Sequence, residues 1–346
     1  MRILLIDNDV FVDKGEELCI YKNTGEFALE LKALGNSIEL FQTKHKVQSN
    51  FHDFNVLNRG FKITALKRYP YKLFTYLNAY IFGIWRLMHS DFLYLYYPTN
   101  YEYLAFFAKL FGKQYGLNVR GERDLHSKKS LLLYKYSKIV STVSPYFTAV
   151  AEAAGARGVT QKPAISFDEN DINPAKKYEL KAQYKLLYLA RLDKAKGIYE
   201  LIYCIAELVR MNYNVSLVVV GDGLEDDQLK RLVSDLDLSN YIFFEGAITD
   251  KQRIAEYYKN ADLFVLPSYH EGFPRTLYEA MIFGIPIVTT FVGGIPFLMK
   301  NDFNCVEIKS KSVDSLTEKI SHLLDNYNSA GIMVKNAIDT VLDIVA

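Results

Sequence analysis

Residues 261–290 read ADLFVLPSYHEGFPRTLYEAMIFGIPIVTT, and this pattern decides the fold. An apolar run (261–268) leads into a polar loop, and a helix begins at Pro274. Proline suits the first helical position because its missing N–H has no partner there. Gly284 closes the helix as C-terminal glycines do, and a β-branched strand, 285–290, follows. Strand, helix and strand in this order form the unit of a parallel sheet covered on both faces. The same residues suggest chemistry. The N–H groups of Arg275, Thr276 and Leu277 are expected to be free at the positive end of the helix dipole, where anions bind. Glu271 lies ahead of that point in the loop and Glu279 rides about one turn into the helix. Such a segment suits a ligand with anionic oxygens in its middle and hydroxyls at both ends. Two glutamates at this spacing also occur on ordinary solvated helices, but the loop Gly293-Gly294-Ile295-Pro296 adds a place for close backbone approach.

Working outward, the C-terminal half keeps alternating. Strands are expected at 185–189, 215–220, 241–244, 263–266 and 286–289, with helices at 198–211, 224–236, 253–260 and 276–283. The N-terminal half alternates less cleanly, with strands at 3–7, 37–41, 92–96, 115–119 and 139–143. A polar, proline-bearing stretch separates the halves. The reading is therefore α/β: domain one at 1–167, a linker at 168–183 and domain two at 184–346, the last helix either staying there or returning to the first domain. A chain of 346 residues that is 50% apolar has material for two such cores. A net charge of +1 gives no global field for nucleic acid. Cys19, Cys204 and Cys305 show no metal or disulfide spacing, which fits a reducing compartment.

A second anion signal follows the first strand of domain two: Arg191-Leu192-Asp193-Lys194-Ala195-Lys196-Gly197. In open α/β sheets ligands bind at the carboxyl ends of strands. A guanidinium fork and a mobile ammonium five positions apart can grip one diphosphate. With Gly221-Asp222-Gly223, Phe244-Glu245-Gly246, Glu271-Gly272-Phe273 through Glu279-Ala280-Met281, Gly284-Ile285-Pro286-Ile287-Val288 and Gly293-Gly294-Ile295-Pro296, this series resembles the retaining GT-B glycosyltransferases of family 4, the glycosyl transferases group 1. The resemblance spans about 185–325.

It implies two Rossmann-like, doubly wound domains facing across a cleft, and it implies roles. Arg191 and Lys196 resemble a diphosphate clamp acting in place of a metal, with no cofactor. Glu279 would accept from the ribose and Glu271 would contact the donor sugar beside the reacting carbon. The backbone of Gly272, Phe273 and Pro274 would hold further hydroxyls, with Arg275, Thr276 and Leu277 at the phosphate. Gly221, Gly246 and Ile248 would lie near the nucleoside, although glycines there also simply make tight turns. In the first domain, Thr24 is the expected N-cap and Gly25 the close-approach residue after an excursion at 8–22, with Gly15 as its rival. Where relatives carry a histidine, Arg120 stands as the acceptor or phosphate candidate. His126 is read as a surface residue and His270 as a loop residue that could face the sugar. Phe297 replaces an acidic residue usual in the family.

The expected activity is retaining transfer of a hexose from a nucleoside-diphosphate sugar to a saccharide or lipid-linked saccharide hydroxyl, in cell-surface polysaccharide synthesis. The rival readings are a non-catalytic nucleotide-sugar-binding partner subunit and a nucleotide-sugar epimerase. Met1-Arg2 runs straight into a strand rather than a signal peptide, and the apolar stretch 74–88 is short of the ~20 residues needed to span a bilayer. A cytoplasmic location is expected. The aromatic and basic run Lys67-Arg68-Tyr69-Pro70-Tyr71-Lys72-Leu73-Phe74 is a candidate for peripheral contact at the membrane's inner face, core packing being the alternative.

Overall fold

Short runs rich in Val, Leu, Ile and Phe can be buried on both faces only where helices cover both sides, and that is what the second half forms. The computed structural model describes residues 1–46, 52–121, 124–161, 165–172, 177–272 and 274–345. Its contacts divide the chain into Met1–Gln161 and Lys162–Ala346.

In the second unit the strands Tyr184–Leu189, Val215–Val220, Ile242–Gly246, Leu263–Leu266, Ile287–Thr290 and Val306–Ile308 form one sheet among the described residues. All its pairings are parallel. Counted by chain order, the strands lie 3-2-1-4-5-6 across it, the doubly wound Rossmann arrangement, whose ligand crevice opens where the order reverses. The helix Ile198–Arg210 shows why the covering works, since it buries Ile198, Leu201, Ile202, Ile205 and Leu208 at helical spacing. The terminal strand Val306–Ile308 escaped the sequence reading, being only three residues long.

The first unit repeats the plan. Among the described residues the strands Arg2–Ile6, Ser37–His45, Lys62–Lys67, Phe92–Tyr97, Gln114–Val119, Ile139–Thr142 and Gly158–Thr160 pair in parallel and lie 3-2-1-4-5-6-7 by chain order. Along the first strand, Leu4 and Ile6 join one buried layer while Ile3 and Leu5 join the other, as period-two alternation requires. The excursion after it forms an antiparallel hairpin, Phe11–Asp13 with Leu18–Ile20, extended by Phe54–Asn55. Gly15 turns that hairpin at φ +89° with open space around it. The hairpin and the strand Lys62–Lys67 were not expected.

The described parts of the segment read as a linker, 168–172 and 177–183, belong to the second unit. The Tyr178 hydroxyl donates to the Gly284 carbonyl at 2.7 Å, and Phe167, read as the end of domain one, is buried in the second unit's core instead. The last helix, Ala330–Val345, lies in the second unit and packs on Arg275–Ile282.

Gly197 fixes how the first loop of the second unit meets the rest. Its φ is +71°, and a Cβ there would sit 2.1 Å from the Pro267 carbonyl oxygen. Gly197→Ala is therefore expected to lose roughly 1–3 kcal/mol to backbone strain, plus the cost of parting two loops. Gly15→Ala carries the strain without the collision. Thermal melts should place Gly197→Ala several degrees below Gly15→Ala; equal midpoints would contradict the close approach.

Candidate active site

The groups singled out in the second unit gather on loops at the carboxyl edge of its sheet. Loop 190–197 leaves Tyr184–Leu189, loop 221–225 leaves Val215–Val220, loop 267–274 leaves Leu263–Leu266, and loop 291–294 leaves Ile287–Thr290. Backbone bonds tie them together. Leu192 N–H donates to Asp222 O at 2.9 Å, Tyr269 N–H to Ala195 O at 2.8 Å, and Gly294 N–H to Gly272 O at 2.9 Å. Gly221 and Gly223 serve this stitching, since a Cβ on either would lie 2.0 or 2.1 Å from the carbonyl oxygen of Ala190 or Leu192. Their need for glycine comes from chain meeting chain. Gly246 also bonds into the seam through its carbonyl, accepting from Gly221 N–H at 2.9 Å, while Ile248 packs against the core.

Lys196 and Glu271 meet directly. The ammonium lies 2.6 Å from Glu271 Oε1, and the Ser268 hydroxyl donates to the same oxygen at 2.8 Å. Their side chains are only 20% and 8% exposed, so the pair has lost much of its water and each charge depends on its partner. Arg191 is placed differently. Its side chain is 59% exposed and its guanidinium is 3.6 Å from Asp193, leaving it able to swing toward an incoming anion. Ser268 escaped the sequence reading, although its place three residues before Glu271 was a signal.

The helix runs Arg275–Ile282 with Pro274 as N-cap, one position later than expected. The expectation of a free N–H at Leu277 is corrected: that group donates to Pro274 O at 3.1 Å in a tightened first turn. Arg275 and Thr276 precede the i→i−4 ladder of this helix. Gly272 forms the bend before the helix. Phe273 lies outside the described residues. Glu279 is buried and accepts from the Tyr258 hydroxyl at 2.9 Å. Tyr258 belongs to the helix Lys251–Asn260 and stacks on Phe283 with ring centroids 5.1 Å apart. Burial raises the Glu279 carboxyl above its ordinary value, opposed by the Tyr258 hydrogen bond and the Arg275 charge. The sequence marked Glu279 but not Tyr258; a tyrosine in the apolar stripe of a helix, needing a partner for its hydroxyl, was the available clue.

In the first unit, Thr24 and Gly25 fall inside the helix Lys22–Ala33, whose N-cap is Tyr21, so the expected Thr24 cap is corrected. A Cβ on Gly25 would enter the Phe54 ring at 2.2 Å, and the glycine serves that packing. Arg120 follows Gln114–Val119, its guanidinium carbon 4.4 Å from the Tyr96 ring centroid. Asp7, just past the first strand, is buried and its carboxyl is pushed up by desolvation, with Thr24 and Arg120 acting against the shift. Asp7 was not singled out in the sequence; a carboxylate at the end of the first strand was the signal. The aromatic stretch Tyr94-Leu95-Tyr96-Tyr97-Pro98, read as a candidate contact surface, is corrected: Tyr94, Tyr96 and Tyr97 are buried in the strand Phe92–Tyr97. Nearby, Asn8, Asp9, Gln42, Thr43, Arg68 and Tyr76 line a polar cavity of about 260 Å³. His126 is bonded to the Tyr146 hydroxyl at 2.6 Å, and His270 is exposed on its loop.

The raised Glu279 carboxyl has a stability consequence. The folded state holds its proton to higher pH than the unfolded chain, so unfolding free energy falls as pH rises from the ordinary carboxylate range through the folded value. Glu279→Gln removes this penalty while leaving Tyr258 an acceptor. Melts across pH 4–7 should show the variant gaining stability relative to wild type as pH rises; a relative loss would contradict the assignment.

Residues 169–340 match the family model for glycosyl transferases group 1. A 30% identical stretch of 152 residues, 44% of this chain, is shared with an uncharacterized glycosyltransferase of Methanocaldococcus jannaschii, covering 38% of that protein. The capsular polysaccharide biosynthesis glycosyltransferase CapM of Staphylococcus aureus is 26% identical over 56% of this chain and 50% of its own length. The chain thus spans about half or less of the length of these relatives. At the level of fold the likeness covers both units. HepE of Anabaena in complex with UDP superposes with a TM-score of 0.68 at 19% identity, over 99% of this chain and 95% of that one. Both sheets follow the Rossmann order of the GT-B architecture, and through its second unit the chain belongs to the glycosyl transferases group 1.

Proposed function

We propose that this chain transfers a hexose from a nucleoside-diphosphate sugar to a hydroxyl of a saccharide or lipid-linked saccharide, with retention at the anomeric carbon, in cell-surface polysaccharide assembly. The observation that carries the reading is the Lys196–Glu271 pair at the carboxyl edge of a Rossmann sheet, with Glu279 one turn into the helix that follows. Membership in the glycosyl transferases group 1 supports the reaction class. The capsular role of CapM supports the setting, and the UDP and UDP-glucose complexes of HepE support the donor class.

The donor diphosphate draws Lys196 partly away from Glu271, which keeps the Ser268 bond and turns its other oxygen to the sugar. Arg191 closes from solvent, and the N–H groups of Arg275 and Thr276 meet the phosphate from the helix end. Glu279, held by Tyr258, accepts from the ribose. As the bond between the anomeric carbon and the phosphate oxygen breaks, both electrons leave with the diphosphate, whose charge these groups stabilise. The acceptor hydroxyl attacks from the same face and passes its proton to the departing phosphate oxygen.

Purified protein screened with UDP-, GDP- and ADP-sugars should bind one class without added metal and transfer its sugar in the presence of EDTA. Lys196→Ala and Arg191→Ala are each expected to lower kcat/KM about 10²–10³-fold, as loss of one preorganised charge-stabilising group does. Because Lys196→Ala strands Glu271, the paired variant Lys196→Gln/Glu271→Gln separates misfolding from lost chemistry. An α-linked donor should give an α-linked product. A β-linked product would remove retention, and epimerised donor without acceptor would favour the epimerase reading.

A further inference from the structure

The helix Lys72–Met88 is built the reverse of an ordinary surface helix. Its sheet-facing side is small: Thr75, Ala79, Gly83 and Leu87 are buried at i, i+4 spacing. Gly83 allows close approach, because a Cβ there would lie 3.0 Å from Leu104 and 3.5 Å from Phe41. The large apolar residues point outward. Leu73 is 75% exposed, Ile81 60% and Leu77 56%, and Phe74, Phe82, Trp85 and Met88 share the exposure. Tyr69 and Tyr71 precede the helix, and Leu110 and Phe111 extend the surface from the helix Tyr103–Leu110 packed beside it. A protein does not leave a contiguous apolar face of this extent in water without a use for it.

Charge identifies the occupant. From residue 54 to 90 the sequence holds Arg59, Lys62, Lys67, Arg68, Lys72 and Arg86 and no aspartate or glutamate. Acids around the helix are already held by cations: Glu39 by Arg86 at 3.0 Å, Glu102 by Lys129 and Asp91 by Arg2. Lys67 and Lys72 form no ion pair among the described residues and stand at the entry to the apolar face. Exposed apolar side chains, interfacial Tyr and Trp, and a cationic flank are what an anionic bilayer surface binds. A second copy would offer the same acid-free segment and no charge complement. No helix among the described residues is long and apolar enough to cross a membrane, so the helix would lie in the surface plane.

We infer that the outward face of Lys72–Met88 docks this chain on an anionic lipid surface. The inference rests on this face alone and stands apart from the transfer reaction. Trp85 is the single tryptophan of the chain and sits on the proposed contact, so intrinsic fluorescence reads the event directly in the unmodified protein. Vesicles of phosphatidylcholine with about one-third phosphatidylglycerol, a fraction chosen to give strong surface charge, should shift the emission blue. Brominated acyl chains in the same vesicles should quench it, and pure phosphatidylcholine should do far less. Lys67→Gln/Lys72→Gln should weaken association roughly thirtyfold at low salt, about a factor of five per cation. Leu77→Ser/Ile81→Ser, which alters only the outward face, should abolish quenching while leaving the melting curve and nucleotide affinity intact. Absence of quenching at saturating anionic lipid would overturn the inference. Equal binding to neutral vesicles, or a dimer that buries Trp85 in lipid-free solution, would do so too.

Discussion

The Lys196–Glu271 pair is the interaction on which the second unit's binding edge depends. Loop 190–197 and loop 267–274 leave neighbouring strands, and the 2.6 Å contact joins them at the point where the sheet order reverses. Around it run the Tyr269–Ala195 backbone bond and the left-handed Gly197 pressed against Pro267. A mostly buried ion pair is costly to form and costlier to break on one side. It is justified where one partner is needed for a third charge, and the phosphate of the proposed donor would be such a charge. On that proposal the free protein would hold its cation preorganised, with Glu271 as a placeholder.

The glycines of the two units sort into chemistry and construction. Gly221, Gly223 and Gly25 resemble ligand-approach residues in the sequence, yet the space beside each is taken by Ala190, Leu192 or Phe54. They let loops and helices come close enough for the side chains at the edge to be held rigidly. The helix start at Arg275 likewise offers less than its sequence suggests, because the tightened first turn consumes the Leu277 N–H.

The fold was largely legible in the sequence because the parallel strands are buried on both faces and so read as uninterrupted Val, Leu and Ile runs. Val215–Val220 and Leu263–Leu266 fall where the reading put them. The short edge pieces were not legible: Phe11–Asp13, Leu18–Ile20 and Val306–Ile308 carry too few residues to show a period. Within the candidate site, Arg191, Lys196 and Glu271 were visible because each is charged and lies on a loop after a strand, and Glu279 because it is a charge on the helix that follows. Ser268 and Tyr258 were not, because their importance lies in a partner that only the fold supplies. Tyr258 reaches Glu279 across 21 residues of chain. The outward face of Lys72–Met88 was half legible: its aromatic and basic character showed, but which side faced the sheet did not.

On the proposed function, a departing diphosphate is neutralised by Lys196 and Arg191 beside the Arg275–Thr276 helix end. The most direct measurement is a crystal structure grown with the nucleoside diphosphate of the preferred donor and no divalent ion. Phosphate oxygens are expected within hydrogen-bond reach of Lys196 Nζ, the Arg191 guanidinium and the Thr276 N–H, with the ribose on Glu279. A diphosphate bound elsewhere, with the Lys196–Glu271 contact undisturbed, would contradict it.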